Sequence, residues 1–191
     1  MAFAQRQEKY YNFNDFLRWG MSENTELIDG TPYMMAPPSR RHQRILFALA
    51  RQIADFLEDK PCEIYVAPFA VRLFEKKNDR PEDVDTLVEP DISVICDSDK
   101  LDDYGCKGAP DFIIEILSPS SKSHDRIVKY NLYQKAGVRE YWIVDPEKEY
   151  ILPFVLQDGV YIASDVEIKQ EDQMPVKVLN GCVIDLKKVF K

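Results

Sequence analysis

Residues 108–146 read GAPDFIIEILSPSSKSHDRIVKYNLYQKAGVREYWIVDP, and the architecture of the chain is written most plainly here. FIIEIL at 112–117 and YWIV at 141–144 are short, nearly continuous apolar runs, the pattern of strands covered on both faces of a sheet. Between them the spacing predicts a helix from about Ser123 to Ala136, stopped by Gly137. Asp145-Pro146 closes the second run. Strand, helix and strand in this order point to an α/β domain with a mixed sheet flanked by helices.

Upstream, VEPDISVICD repeats the pattern of Pro-Asp followed by a brief apolar strand. CEIYVAPFAVRLFEKK reads as two strands joined near Ala67-Pro68, and NDRPEDVDT as a polar loop. APPSRRHQRILFALARQIADFLEDK is the long helix of the chain. Pro37, Pro38 and Ser39 mark its start, Leu46, Leu49, Ile53, Phe56 and Leu57 form one stripe, and Lys60-Pro61 marks its end. ELIDGTPYMM is a hairpin around Asp29-Gly30, and YNFNDFLRW at 11–19 a short surface helix capped by Asn12 or Asn14. Downstream, ILPFVLQDGVYIAS predicts a second hairpin at Asp158-Gly159, followed by a variable C-terminal segment.

The 191 residues are 45% hydrophobic and hold only 7 Gly and 12 Pro, which argues for one globular domain over 1–191 and against disorder. Lys plus Arg total 25 against 33 Asp plus Glu, a net charge of −8. That balance excludes a protein that coats nucleic acid through global positive charge, while leaving room for a local basic groove. Cys62, Cys96, Cys106 and Cys182 form no CxxC spacing of a structural zinc site, and a chain of this length needs no disulfide staples. With no signal-type apolar core at its start and no 18-residue apolar span, the expected location is the cytoplasm.

The informative acids are those in apolar surroundings. Glu115 lies inside FIIEIL, where a carboxylate is costly unless paired or bound to a cation. Asp91 stands at the mouth of DISVI on a strand expected to neighbour it, and the two could hold Mg²⁺ or Mn²⁺ while leaving positions for water and a phosphate oxygen. Asp111 shares the face of Glu115 but lies roughly 13 Å away along the strand, too far for both to grip one small ion, so its role is support or that of an alternative metal ligand. A cation can come from the following helix. Lys129 can reach back toward Glu115, with Lys122 in the loop as a weaker candidate. The bland alternatives are a buried Glu115 ion pair with Lys129, Arg126 or Arg139, an Asp125–Lys129 surface pair, and ordinary turn positions for Asp91 and Asp111.

The 108–146 stretch, together with ELIDG, PPSRRHQ and EPDISVI, resembles the bacterial family called "putative restriction endonuclease" within the PD-(D/E)XK nuclease superfamily, over residues 11–160. The resemblance implies a restriction-endonuclease-like core that hydrolyses DNA phosphodiesters with a divalent metal. It assigns the first aspartate to Asp91, the later acid to Glu115 and an additional upstream acid to Glu26, giving a metal set of Asp91, Glu115 and Glu26. The lysine of the Glu-x-Lys element is absent, because position 117 is Leu. Lys129 is the preferred substitute.

Arg40, Arg41, His42 and Arg44 at the start of the long helix are candidates for phosphate contact. A homodimer is the expected assembly, with the YWIV and ILPFVL strands as edge or interface. Two other functions fit the same residues: a catalytically silent nucleic-acid-binding or protein-interaction module on this fold, and a metal-dependent hydrolase of a small phosphorylated substrate.

Overall fold

The computed structural model describes residues 9–19, 25–118, 125–163 and 173–191. In chain order the elements are α1 (Phe13–Trp19), β1 (Thr25–Ile28), β2 (Thr31–Met34), α2 (Arg40–Leu57), β3 (Glu63–Val66), β4 (Val71–Arg72), β5 (Ile92–Ile95), β6 (Leu101–Asp102), β7 (Gly105–Lys107) and β8 (Phe112–Ile116). A π-helical turn (Asp125–Lys129) then leads into α3 (Tyr130–Ala136). β9 (Glu140–Asp145), β10 (Tyr150–Gln157), β11 (Val160–Ala163), β12 (Gln173–Pro175) and β13 (Val183–Asp185) follow. The central sheet has six strands in the order β11-β10-β9-β8-β5-β3. β8 and β9 run parallel and the other neighbours antiparallel, giving the mixed sheet that the two apolar runs imply.

Alternation along β8 sorts its side chains between two cores. Phe112, Ile114 and Ile116 pack with Ile45, Leu49 and Ile53 of α2, whereas Ile113 and Leu117 join Leu132 and Tyr133 of α3 on the opposite face. Glu115 falls on the α3 face by the same alternation. Gly137 ends α3 with φ 90°, a left-handed backbone that favours glycine, and its N–H bonds back to the carbonyl of Tyr133. β9 can then return parallel to β8.

Several expectations change in detail. α1 is a surface helix with one docked face: Phe13 and Phe16 are buried against Leu27, Val84 and Leu87, so the loop around Pro81–Asp83 also contributes to a core. α2 stops at Leu57, before Lys60-Pro61. The C-terminal segment is integral, because Met174, Val176, Leu179, Ile184, Leu186 and Phe190 enter the α2-side core. Glu140 fastens it, accepting from Val178 N at 2.8 Å and from Trp142 Nε1 at 2.7 Å.

Tyr141–Val144 lies buried in the middle of the sheet and β10 is paired on both sides, so neither run is an edge of the sheet. Cys62 and Cys96 form a disulfide between the start of β3 and the end of β5, a crosslink for which chain length creates no need. Among the described residues, no helix is long and apolar enough to cross a membrane.

Ile114 is fully buried between α2 and the sheet. Ile114→Ala is expected to lower unfolding free energy by about 2–5 kcal/mol in urea titrations, whereas Val160→Ala on the exposed edge should change it by less than about 0.5 kcal/mol.

Candidate active site

Three separate segments bring acids to one cavity of about 470 Å³, lined among others by Glu26, His42, Glu89, Asp91, Glu115 and Lys129. Each is placed by backbone pairing. Leu27 exchanges both backbone hydrogen bonds with Leu87 at 2.7 Å, which docks β1 beside the approach to β5 and sets Glu26 against Glu89. Ile92 is opposite Ile114 in the β5–β8 ladder, so extending that register sets Asp91 opposite Glu115. α3 packs over the Glu115 side of the sheet and carries the preceding π turn with it. That turn ends on Lys129.

The centre of the arrangement is the Lys129 ammonium. Its Nζ donates to Glu26 Oε1 at 2.8 Å and to Glu115 Oε1 at 2.9 Å, and all three side chains are almost wholly buried. Tyr133 OH donates to the same Glu115 oxygen at 2.6 Å, and Glu89 N donates to Glu26 Oε1 at 3.0 Å. Burial, followed by the charge of Glu115, raises the Tyr133 phenol well above its ordinary range, which keeps it a donor. Asp91 Oδ2 accepts from Ile116 N at 2.7 Å and lies 3.1 Å from His42 Nε2. Ser39 at the start of α2 accepts from His42 N, anchoring the first turn that carries the imidazole.

Glu89 is the acid that sequence reasoning passed over. Burial, then the neighbouring Glu26, raises its carboxyl to about 7, partly opposed by Lys129. Its signal was present in EPD, where residues 89 and 91 are two apart and share a face of an extended chain. Tyr133 was also legible, four residues beyond Lys129 and therefore on the same side of a helix.

Other candidates fall elsewhere. Asp111 bonds Cys96 N and Arg139 instead of lining the cavity, so its expected supporting role gives way to a tie at the other end of the strand. Arg41 pairs with Glu149, Arg40 and Arg44 are exposed, and none of the three lines the cavity. Lys122 and the side chains of Asp125 and Arg126 lie outside the described residues. Leu117, at the usual lysine position, is buried in the α3-side core.

The donor chemistry fits a hard divalent cation. Carboxylate oxygens suit Mg²⁺ or Mn²⁺, and Glu26 Oε2 is buried without a hydrogen-bond partner among the described residues. No group of three or more His, Cys, Asp and Glu among the described residues is arranged as a metal cage. A site completed by water and substrate phosphate is the usual mode for Mg²⁺.

A central mixed sheet between helices, with acids and a lysine gathered at one cavity, defines a nuclease-like α/β protein. Residues 13–187 match the Uma2 family, described as "Putative restriction endonuclease", and the chain belongs to that family. A crystal structure from Anabaena variabilis, described as a putative nuclease belonging to DUF820, superposes with a TM-score of 0.72 at 19% identity, covering 94% of this chain and 97% of that one. This likeness shows the shared fold. Two proteins of Synechocystis sp., "Uncharacterized protein slr1290" and "Uncharacterized protein sll1609", are 28% and 27% identical over 62% and 65% of this chain. The matched stretches span 60% and 67% of those proteins.

Two outcomes test the geometry. Lys129→Met strands two buried carboxylates and should destabilise the protein by about 3–5 kcal/mol, while adding Glu115→Gln should recover part of that loss in chemical denaturation. For Glu89, folding favours the protonated form, so its stabilising contribution is complete below pH 4.5 and is lost as pH rises through about 7. In EDTA, Glu89→Gln should therefore gain stability relative to the parent between pH 5 and 8, by about 1 kcal/mol after solvent screening; a pH-independent difference would contradict the assignment.

Proposed function

We propose that this protein is a divalent-metal-dependent endodeoxyribonuclease that hydrolyses DNA phosphodiester bonds. The observation that carries this reading is Lys129, which brings a positive charge to Glu26 and Glu115 from a helix while Leu117 leaves the strand without one. Family membership and the description of the Anabaena relative as a putative nuclease support the same reaction class.

Asp91, Glu115 and Glu26 would hold Mg²⁺ or Mn²⁺. Such an ion polarises a phosphoryl oxygen and lowers the pKa of water. Formal charge favours its presence: Glu26, Asp91 and Glu115 carry three negative charges, and Lys129 returns one. Lys129 orients the carboxylates and offsets negative charge on a phosphate drawn into the cavity. Tyr133 fixes the Glu115 rotamer through its 2.6 Å hydrogen bond. Backbone N–H of Ile116 and the His42 imidazole fix Asp91. The apolar walls limit bulk water around these groups, strengthening each interaction.

Purified protein incubated with supercoiled, linear and single-stranded DNA in Mg²⁺ or Mn²⁺ should cleave at least one form, and EDTA should abolish the reaction. Asp91→Asn, Glu115→Gln and Lys129→Ala should each lower kcat by about 10²-fold or more, the scale of losing a positioned electrostatic group. Cleavage that persists in all three variants, or in EDTA, contradicts the proposal.

A further inference from the structure

The reactive groups stand at the bottom of a recess. Glu26 is 0%, Lys129 1% and Glu115 3% exposed, so a phosphate reaches them only by descending into the cavity. The volume of about 470 Å³ is that of a small-ligand pocket, room for one nucleotide unit. An intact duplex keeps its bases in the stack and its backbone on a stiff outer surface. Enzymes that act on a base take it from a single strand or extrude it from the duplex, and a recess that must admit a phosphate together with its neighbouring base sets the same demand.

The walls have a second property that points the same way. Tyr33, Met34, Met35, Pro38, Ala67 and Pro68 form an apolar margin, and the only basic side chains in the lining among the described residues are His42 and Lys129. Long duplex tracks need several phosphate-neutralising side chains, whereas apolar and aromatic surfaces beside one phosphate site suit an unstacked base. Tyr33 is the cross-strand partner of Glu26 in the β1–β2 ladder, on the same face of the hairpin. Cross-strand partners of this kind hold their Cβ atoms about 4.5–5.5 Å apart, near enough for one nucleotide to touch both. Tyr33 is 39% and Met34 89% exposed.

We infer that the site takes an unpaired DNA strand, with the scissile phosphate at Lys129 and an adjacent base stacked on Tyr33. This deepens the nuclease reading and rests on it. Tyr33 is then a substrate-positioning residue, and the preference for unpaired DNA is set by access, not by sequence.

The test uses end-labelled oligonucleotides of one sequence in Mn²⁺: a blunt duplex, the same duplex with a four-nucleotide gap in one strand, and the single strand. Cleavage should fall in the unpaired stretches, at least about tenfold faster than within the blunt duplex. Tyr33→Ala should raise KM for the single strand about tenfold with a smaller change in kcat, as expected for loss of one base–aromatic stack, and Tyr33→Phe should restore it. Equal cleavage inside the blunt duplex overturns this inference while leaving the nuclease reading standing. An unchanged KM in folded Tyr33→Ala does the same, and failure to cleave any of the three substrates overturns both.

Discussion

One ammonium group organises the centre of this protein. Lys129 joins Glu26 and Glu115, carboxylates that come from a hairpin and from the middle of a buried strand. Neither acid could be stripped of water at acceptable cost without such a partner. The lysine reaches them because its helix begins with a π turn ending on that residue, and π turns are a recurrent way of aiming a side chain at a site. The first β1–β2 strand, the β5 approach, β8 and α3 therefore meet at one point.

Sequence alone made the central sheet legible for a simple reason. FIIEIL and YWIV are too apolar for half-wet strands, and the segment between them has room for one helix ended by Gly137. The same reasoning placed Glu115 in hostile surroundings and required a partner for it. Sequence offers Lys129, Arg126 and Arg139 as that partner, and the structure puts the Lys129 Nζ 2.9 Å away. Both the functional and the bland readings of Glu115 invoked this contact. The cavity beside it and the orphaned Glu26 oxygen are what favour chemistry over a closed ion pair.

The features that escaped depend on pairings between distant segments. Glu26 meets Glu89 through two backbone bonds between Leu27 and Leu87, and nothing in the local pattern of either stretch encodes that docking. The C-terminal segment lacks strong periodicity, yet it fills the α2-side core through scattered apolar residues and is held by Glu140. Asp111 has the same strand face as Glu115, but the far end of the strand delivers it to Cys96 and Arg139. Its position along the strand, and not its face, determined the outcome.

The overall charge of −8 and an acidic cavity are by themselves ill suited to a polyanion. They are reconciled if a second cation joins Lys129 among the carboxylates when phosphate arrives, making affinity local and metal-dependent. Anomalous diffraction from crystals grown with Mn²⁺ tests this most directly. A manganese peak is expected among Asp91, Glu115 and Glu26, lost in Glu115→Gln; a fully resolved site with Lys129 still bridging Glu26 and Glu115 and no manganese peak would contradict metal binding there.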